Sequence, residues 1–255
     1  MIMKGETNPG KPQYHIRLLK GQVPEFVLLP GDPDRLKLIS SLLSDVRLLS
    51  ESREYASLVG SYRGVKVGVV STGIGGPSAA IALEELWRLG VRYAIRVGTT
   101  ASISDDVKVG DLVLARAAVR NDGTSRYYIP QEFPAIPDFR LLLEMHSILA
   151  RTSGTLGVRY HLGLVSSDDA FYMEDDEFIK RLSSMGVTDV DMETATLFAV
   201  GMIRGVSVAS IMAVNGNLVT GPAFDNGPVV RKAILAETKV ALETIYRINT
   251  QTKKG

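Results

Sequence analysis

Short apolar runs alternate with amphipathic stretches along most of the chain, and this alternation constrains the fold most strongly. The apolar runs have the length and composition of strands that are buried on both faces. The predicted strands are 26–30, 65–71, 93–98, 111–117, 161–167 and 206–214. The predicted helices are 33–43, 77–90, 138–151, 175–186, 193–205 and 229–248. Strands that alternate with helices favour one α/β domain around a largely parallel sheet.

The composition of the chain fits one such domain and excludes several classes of protein. The chain has 255 residues, of which 45% are hydrophobic, and a formal net charge of +1. That is enough apolar material for a large core, without the basic surface that binds nucleic acid or an anionic membrane. The absence of cysteine excludes disulfides, zinc–thiolate sites and a cysteine nucleophile.

The chain shows no targeting or membrane segment. No apolar run approaches the roughly 20 residues of a membrane span, and the first residues lack the apolar core of a signal peptide. We therefore expect a soluble, cytoplasmic protein with one domain over residues 1–255. Residues 1–13 are expected to be a poorly ordered N-terminal segment.

Polar and glycine-rich residues follow several of the predicted strands, where open α/β sheets bind their ligands. In PGDPDR (30–35), Gly31 permits a close approach to the backbone or a positive φ, and Pro33 suits the first position of a helix. Arg35 then lies in the first helical turn. The other segments at strand ends are TGIGGPS (72–78), Arg96 with Thr99 and Thr100, and Met192 with Glu193. Together they predict a pocket.

The side chains in this pocket suit a small anion and a sugar. Arg35 and Arg96 have forked donors that bind an oxyanion through paired hydrogen bonds, and Thr99 and Thr100 would complete the cradle. No Gly-Lys-Ser/Thr follows a glycine run, so free phosphate fits better than a nucleotide tail. Two roles stay open for Glu193: a helix cap, or an acceptor of hydrogen bonds from two vicinal sugar hydroxyls.

Phosphate beside a ribose diol points to the phosphorolysis of a nucleoside. Phosphate attacks the anomeric carbon while the base leaves, and catalysis is mainly positioning and charge stabilisation. Phe171 and Tyr172 follow SSDDA and either cover a base or ribose or belong to the core.

Five segments together resemble the nucleoside phosphorylase family that contains uridine phosphorylase and the hexameric purine nucleoside phosphorylases. They are PGDPDR, STGIGGPS, RVGTTASI, SSDDAFY and DMETATLF, in the family's order within residues 14–248. The resemblance implies a single-domain three-layer α/β/α fold with a mixed, partly barrel-like central sheet. It also implies a homo-oligomer, a hexamer built as a trimer of dimers, with a role in nucleotide salvage. Inorganic phosphate is the implied co-substrate, and no organic cofactor is implied.

The resemblance assigns site residues one by one. It gives the catalytic roles to Arg96 and Glu193. The implied phosphate ligands are Gly31, Arg35, Arg96 and Thr99, with Arg53 supplied by the adjacent subunit. The implied nucleoside contacts are Thr99, Thr100, Phe171, Met192 and Glu193, with His15 of the neighbour on the ribose 5′-hydroxyl. The implied site for a monovalent cation, K⁺, at the dimer interface is Glu54, Ile74 and Ser78.

The base is the least determined part of this resemblance. Gly216 stands where the purine enzymes have the aspartate that protonates the leaving base, and FYMEDDEF lacks the uracil readers of the uridine enzymes. That stretch is similar to archaeal purine or methylthioadenosine phosphorylases. The loop 119–139 and Asn215 resemble uridine phosphorylases instead. Asp191 stands where the family usually has glutamate. We favour uridine, with a purine nucleoside or methylthioadenosine as the alternative.

Two further functions stay open. A nucleosidase of the same fold would use water, which needs no trio of arginines, so Arg35, Arg53 and Arg96 disfavour it. A ligand-binding protein without catalysis is the other, since the base readers of the family are missing.

Overall fold

The computed structural model describes residues 10–221, 224 and 227–252. Within them, the strands are β1 (Phe26–Leu29), β2 (Ser44–Ser52), β3 (Tyr55–Tyr62), β4 (Val65–Val70), β5 (Tyr93–Ser102), β6 (Leu112–Arg120), β7 (Tyr160–Ser167), β8 (Asp189–Asp191) and β9 (Ser207–Asn217). The helices are α1 (Arg35–Ser40), α2 (Gly76–Leu89), α3 (Thr124–Tyr128), α4 (Phe139–Leu156), α5 (Asp176–Ser184), α6 (Thr194–Arg204) and α7 (Pro228–Thr252). A short 3-10 helix spans Phe171–Met173.

The strands form one mixed sheet in the order β2-β3-β4-β1-β5-β8-β7-β6-β9. Strand β9 also pairs with β5 in parallel, from Tyr93↔Ser207 onward, so β5, β8, β7, β6 and β9 close into a five-stranded barrel. The partly barrel-like mixed sheet expected from the resemblance is confirmed. The expectation of a largely parallel sheet is wrong, because β2–β3, β3–β4, β5–β8 and β6–β9 are antiparallel.

Helices cover both faces of the sheet. Helices α2 and α6 pack on one face around Leu83, Leu86 and Phe198, which are buried. Helices α1, α4 and α7 pack on the other face, where α7 alone buries residues from Val230 to Ile248 at helical spacing. A smaller apolar cluster joins α5 to the ends of β5 and β8. The three-layer α/β/α architecture follows from these two covered faces.

Several predicted boundaries differ from the structure. Helix α1 begins at Arg35 with Asp34 at its N-cap, so Pro33 precedes the helix, although Arg35 does lie in the first turn. The segment 119–139, expected to be a loop, contains the short helix α3. The expected disorder of residues 1–13 falls mostly on residues 1–9, outside the described residues, while Gln13 is buried. Across the described part of the chain, none of the helices is long and apolar enough to span a membrane.

Candidate active site

Arg96 is a nearly fully enclosed cation that lies between two carboxylates. It comes from the middle of β5 and is 3% exposed. Its Nη2 lies 2.6 Å from Glu193 Oε2, and its Nε lies 3.2 Å from Asp191 Oδ2 without the alignment of a hydrogen bond. Burial acts to lower the pKa of Arg96, but the two carboxylates outweigh it and raise the pKa. Arg96 is therefore a permanent cation.

Gly98 makes room for the guanidinium of Arg96. Side chains two residues apart on a strand share a face, so the side chain of Arg96 runs along the strand past Gly98. A Cβ at Gly98 would lie 2.8 Å from Arg96 Cζ, closer than any real Cβ contact. A larger residue at 98 would displace the arginine from Glu193.

Asp191 is held by the backbone and by hydroxyl groups as well as by Arg96. Ser167 Oγ donates to its Oδ1 (2.6 Å), and Thr194 donates to Oδ2 from both Oγ1 (2.5 Å) and its backbone N–H (3.1 Å). The carboxylate is therefore saturated by donors of β7 and α6. It anchors the β8–α6 turn that carries Glu193.

Glu193 occupies the N-cap position of α6 but does not cap it among the residues described. Its Oε1 accepts the Gly75 N–H (2.6 Å) and its Oε2 faces Arg96. Burial raises the pKa of Glu193, and the charge of Arg96 opposes that shift. The capping role is therefore wrong. The Met192 N–H is a further donor to this carboxylate, which can accept about four hydrogen bonds, so acceptor capacity remains for a ligand.

Arg35 meets Thr99 across the gap between α1 and β5. Arg35 Nη2 donates to Thr99 Oγ1 (3.0 Å), and burial lowers the pKa of Arg35, partly offset by the charge of Glu237. The structure thus brings Arg35, Thr99 and Arg96 together, as the pocket prediction required. Arg96 Nη1 is buried and has no hydrogen-bond partner within the described residues, so the guanidinium retains donors that an anion can use.

Glu237 of α7 is a charged residue of the site that the sequence analysis missed. It is fully buried, and the charges of Arg35 and Arg96 act on it. A signal was available, because residues 230, 233, 234, 237, 240, 241 and 245 form the buried stripe of α7. A glutamate on an apolar stripe needs an opposite charge nearby.

The glycine-rich segments have distinct roles. Gly75 has φ 90° and donates to Glu193, and a Cβ at Gly76 would lie 2.7 Å from Thr196 Oγ1 and 2.9 Å from Thr124 Oγ1. This stretch therefore positions Glu193 and also allows α2 to pack closely. Gly31 does not have a positive φ, and a Cβ there would meet Gly73 O at an ordinary 3.5 Å. Nothing in the described chain itself requires glycine at 31.

Three other predicted contacts surround this centre. Thr100 is buried and its Oγ1 donates to Val190 O (2.8 Å), so its hydroxyl is directed at β8 and not at Arg35. Met192 is half-buried between Asp191 and Glu193. The Phe171 ring is exposed, lies 5.0 Å from the Tyr172 ring and stacks at 5.0 Å on Phe224. These aromatic side chains belong to the surface, so the core alternative for them is wrong.

His15 is fixed by a buried carboxylate outside the cluster around Arg96. Its Nδ1 lies 2.7 Å from Glu85 Oε1, and Glu85 also accepts the backbone N–H groups of His15 and Ile16. A carboxylate only accepts, so Nδ1 bears the proton and Nε2 of the neutral ring is an acceptor. No hydrogen bond or ion pair in the described part of the chain joins His15 to Arg96 or Glu193.

Arg53 lies in the turn between β2 and β3, exposed and with φ 57°. Over residues 10–221, 224 and 227–252, no hydrogen bond or ion pair joins it to Arg35 or Arg96. Ser78 Oγ donates to Ile74 O (2.9 Å), and a Cβ at Gly73 would touch both Glu54 and Ser78. The residues of the implied cation site are therefore neighbours, and their oxygen donors suit a hard cation.

Gly216 and Asn215 lie at the end of β9. Gly216 is buried and pairs with Ala101 of β5, just after a register shift, and Asn215 is half-buried. Glu174 follows the aromatic pair and is half-buried. Burial, together with the charge of Asp168, raises the pKa of Glu174 to about 7.

The arrangement can bind a small oxyanion between Arg35, Thr99 and Arg96, next to a carboxylate that accepts hydrogen bonds. The family model of the phosphorylase superfamily matches residues 25–248. The chain belongs to the phosphorylase superfamily. A uridine phosphorylase of Thermococcus kodakarensis is 42% identical over 82% of this chain and 78% of the relative. A guanosine phosphorylase of Halorubrum lacusprofundi is 40% identical over 82% and 85%.

The fold of this superfamily member matches solved structures of the same family. A uridine phosphorylase from Vibrio fischeri, crystallised with 6-hydroxy-1-naphthoic acid, has 36% sequence identity and a TM-score of 0.85. The match covers 93% of this chain and 97% of that one.

Proposed function

We propose that the protein is a nucleoside phosphorylase that favours uridine and converts it with inorganic phosphate to free base and ribose 1-phosphate. The observation that carries the proposal is the pair of guanidinium groups of Arg35 and Arg96, of which Arg96 Nη1 is buried without a partner among the described residues. A buried donor without an acceptor is costly, and the two carboxylates beside Arg96 leave this one unmatched. Free phosphate is such an acceptor.

The proposed roles are assigned from the donors and acceptors that remain available to a substrate. Arg35, Arg96, Thr99 and the backbone at Gly31 hold the phosphate. Glu193 accepts hydrogen bonds from the ribose 2′- and 3′-hydroxyls, with Met192 and Thr100 beside the sugar and Phe171 over the nucleoside. A phosphate oxygen then attacks the anomeric carbon as the bond to the base breaks, and the electron pair of that bond leaves with the base. Arg96 and Glu193 stabilise the charges that develop.

Two residues reach the site from a neighbouring copy in this proposal. His15 Nε2, oriented by Glu85, accepts a hydrogen bond from the ribose 5′-hydroxyl, and Arg53 adds a third cation to the phosphate. Tyr14 (66% exposed) directly precedes His15, Leu48 (66%) lies on β2, the strand before the turn with Arg53, and Ile74 (78%) is also exposed. Exposed apolar side chains of this size suit an interface between copies. We therefore keep the dimer and its hexamer as proposals, with K⁺ held by Glu54, Ile74 and Ser78, in a cytoplasmic enzyme of nucleotide salvage.

A purine nucleoside is the second candidate substrate, and Glu174 favours it. A carboxyl group with a pKa of about 7 keeps part of its protons near neutrality and can donate to a leaving purine. Gly216 lacks the side chain that would do this from β9. Cleavage of uridine needs no such donor at position 216. In favour of a purine, a relative named guanosine phosphorylase is 40% identical to this chain.

The experiment that tests the function is a panel of uridine, thymidine, inosine, adenosine, guanosine and methylthioadenosine. Each is incubated with and without phosphate, and base release is measured. Release that requires phosphate supports the proposal, and the fastest substrate assigns the base. Release without phosphate would make the protein a nucleosidase. Phosphate-independent binding with no release would leave it a ligand-binding protein.

The shared site is tested by mixing two inactive variants, Arg53→Ala and Arg96→Ala, after dissociation and reassembly. In a mixed dimer both lesions fall in one site, and the other site is wild-type. Random pairing restores at most about a quarter of wild-type activity in a closed symmetric interface. Verified mixed oligomers without recovery would show that each chain builds its own site.

A further inference from the structure

Glu237 is a carboxyl group that the roles proposed so far leave without a function. It is fully buried in the middle of α7, and within the described residues neither of its oxygens has a well-aligned hydrogen-bond partner, the backbone of Ala213 being the one donor that acts on it. An isolated buried carboxylate is among the most costly groups a protein can hold. Its presence on an otherwise apolar stripe therefore indicates an opposite charge nearby with which it interacts.

The opposite charges around Glu237 are the two guanidinium groups of the phosphate site. Helix α7 packs on α1, α4, β4, β5 and β9, and among the groups that act on Glu237 none comes from α4 or β4. Of these elements, α1 supplies Arg35 and β5 supplies Arg96, and both act on Glu237 as cations, while β9 supplies the backbone at Ala213. Burial lowers the pKa of Arg35, and among the nearby charges Glu237 has the largest opposing effect on that pKa. The two arginines of the phosphate site are thus the cations that act on this buried carboxyl group.

A bound phosphate dianion and the Glu237 carboxylate would compete for the same two cations. Burial raises the pKa of Glu237 well above its ordinary value, and the two arginines oppose this shift. A dianion on the arginines cancels their effect, so the carboxyl binds its proton more tightly when the anion is present. Anion binding and proton binding at Glu237 are then linked, and each strengthens the other.

We propose that Glu237 is a positioning residue of the phosphate site: its carboxylate balances Arg35 and Arg96 while the site is empty and takes up a proton from solvent when a dianion binds to them. This proposal rests on the proposed assignment of the phosphate to these arginines. The proton goes to a carboxylate oxygen, and no bond of the anion changes. Glu237 touches neither the nucleoside nor the reacting atoms.

The test uses sulfate as the probe, because sulfate stays a dianion between about pH 6 and about pH 9, whereas phosphate titrates there. Sulfate binding to the intact protein is measured by calorimetry in two buffers of different ionisation enthalpy, which gives the number of protons taken up. We expect wild-type protein to take up a fraction of a proton that Glu237→Gln no longer takes up. Above the pKa of the free site, wild-type affinity falls by up to about tenfold per pH unit, and Glu237→Gln flattens this slope.

Glu243→Gln is the matched control, because Glu243 lies on the same helix but pairs with Arg63 and Arg247 at the surface. It should keep the wild-type proton uptake. Glu237→Met, neutral and close in volume, replaces the glutamine variant if that variant does not fold.

The outcomes distinguish the role proposed for Glu237 from the proposed phosphate site on which that role rests. Sulfate binding with unchanged proton uptake in Glu237→Gln would overturn the role of Glu237 and leave the phosphate site intact. Sulfate binding that Arg96→Ala does not weaken would overturn the phosphate site itself. A neutral variant that only changes the melting temperature, with the pH slope of the wild type, would reduce Glu237 to a structural residue.

Discussion

Replacing Arg96 with alanine separates the two roles that the structure gives this side chain. The guanidinium is 2.6 Å from Glu193 and 3.2 Å from Asp191, and it also faces the proposed anion. From the sequence alone, little loss of stability would be expected, because an arginine at a strand end costs energy without its anion. The ion pairs predict the opposite, since the substitution strands two buried carboxylates.

The magnitudes follow from these contacts. Removing one partner of a buried ion pair costs about 3–5 kcal/mol. At about 2–4 °C per kcal/mol for a chain of this size, the melting temperature should fall by roughly 6–20 °C. Loss of one anion clamp should add about 2–4 kcal/mol to the barrier, a decrease of about 30-fold to about 900-fold in kcat/KM.

Arg247→Ala is the matched control for the stability effect. Arg247 also pairs with two carboxylates, Glu144 at 2.9 Å and Glu243 at 3.2 Å, but at the surface. Exposed pairs contribute about 0–1 kcal/mol, so this variant should melt within a few degrees of the wild type and keep its activity. Thermal unfolding and phosphorolysis are measured on both variants under the same conditions.

The pH dependence gives a second check of the same reasoning. Burial raises the pKa of Glu193, and Arg96 restrains that rise, so the alanine variant raises it further. A carboxyl group with a raised pKa in the folded state costs no stability below its unfolded pKa. The cost grows as pH rises through the window between the two values. The melting deficit of Arg96→Ala should therefore be smaller in acid than at alkaline pH. A deficit equal to that of Arg247→Ala at every pH would refute the buried ion pairs.

Two further variants test other parts of the site and fold. Glu193→Gln should slow the cleavage of uridine at least about tenfold more than that of deoxyuridine, because a deoxy sugar never makes the full diol contact; equal losses in kcat/KM would remove the diol contact. Asp189→Asn should raise the melting temperature above about pH 7 but not near pH 4, because burial raises the pKa of Asp189 to about 7 and stability falls between those values. The gain is bounded by about 1.4 kcal/mol per pKa unit, and a constant difference across the pH range would contradict it.

The expectation that ligand-binding residues follow the ends of parallel strands led to the right residues, but the strand geometry that it assumed is only partly correct. Arg35, Thr99 and Arg96 meet just beyond the end of β1, where Leu29 pairs with Arg96, but beside the middle of the longer strand β5. Strand β8 runs antiparallel to β5, and its last residue, Asp191, and Glu193 in the turn after it lie against Arg96. With only three residues, β8 is too short for a periodicity to reveal it.

The other errors have similar physical causes. Strand β2 is mostly exposed, so its residues lack the buried apolar run by which strands were recognised. The turn that ends it carries Arg53, and nothing in the local pattern distinguishes that arginine from a surface charge. The Arg53 and His15 assignments came from the resemblance alone. Contributions from a neighbouring copy leave no periodic signal in a single chain, whereas contacts within the sheet do.

The structure gives a physical reason for the aspartate at position 191, where the family usually has glutamate. The Asp191 side chain accepts from Ser167, from Thr194 Oγ1 and from the Thr194 N–H. A short side chain suits the contact to a backbone N–H three residues on, and it keeps the carboxylate against β7 and α6. Since these donors occupy its lone pairs, little acceptor capacity remains for a sugar. Glu193, two residues later in the β8–α6 turn, keeps acceptor capacity for a ligand beside its contacts to Gly75, Met192 and Arg96. We infer that the ribose diol depends on Glu193 alone in this protein, so the contrast between uridine and deoxyuridine should be carried by that residue.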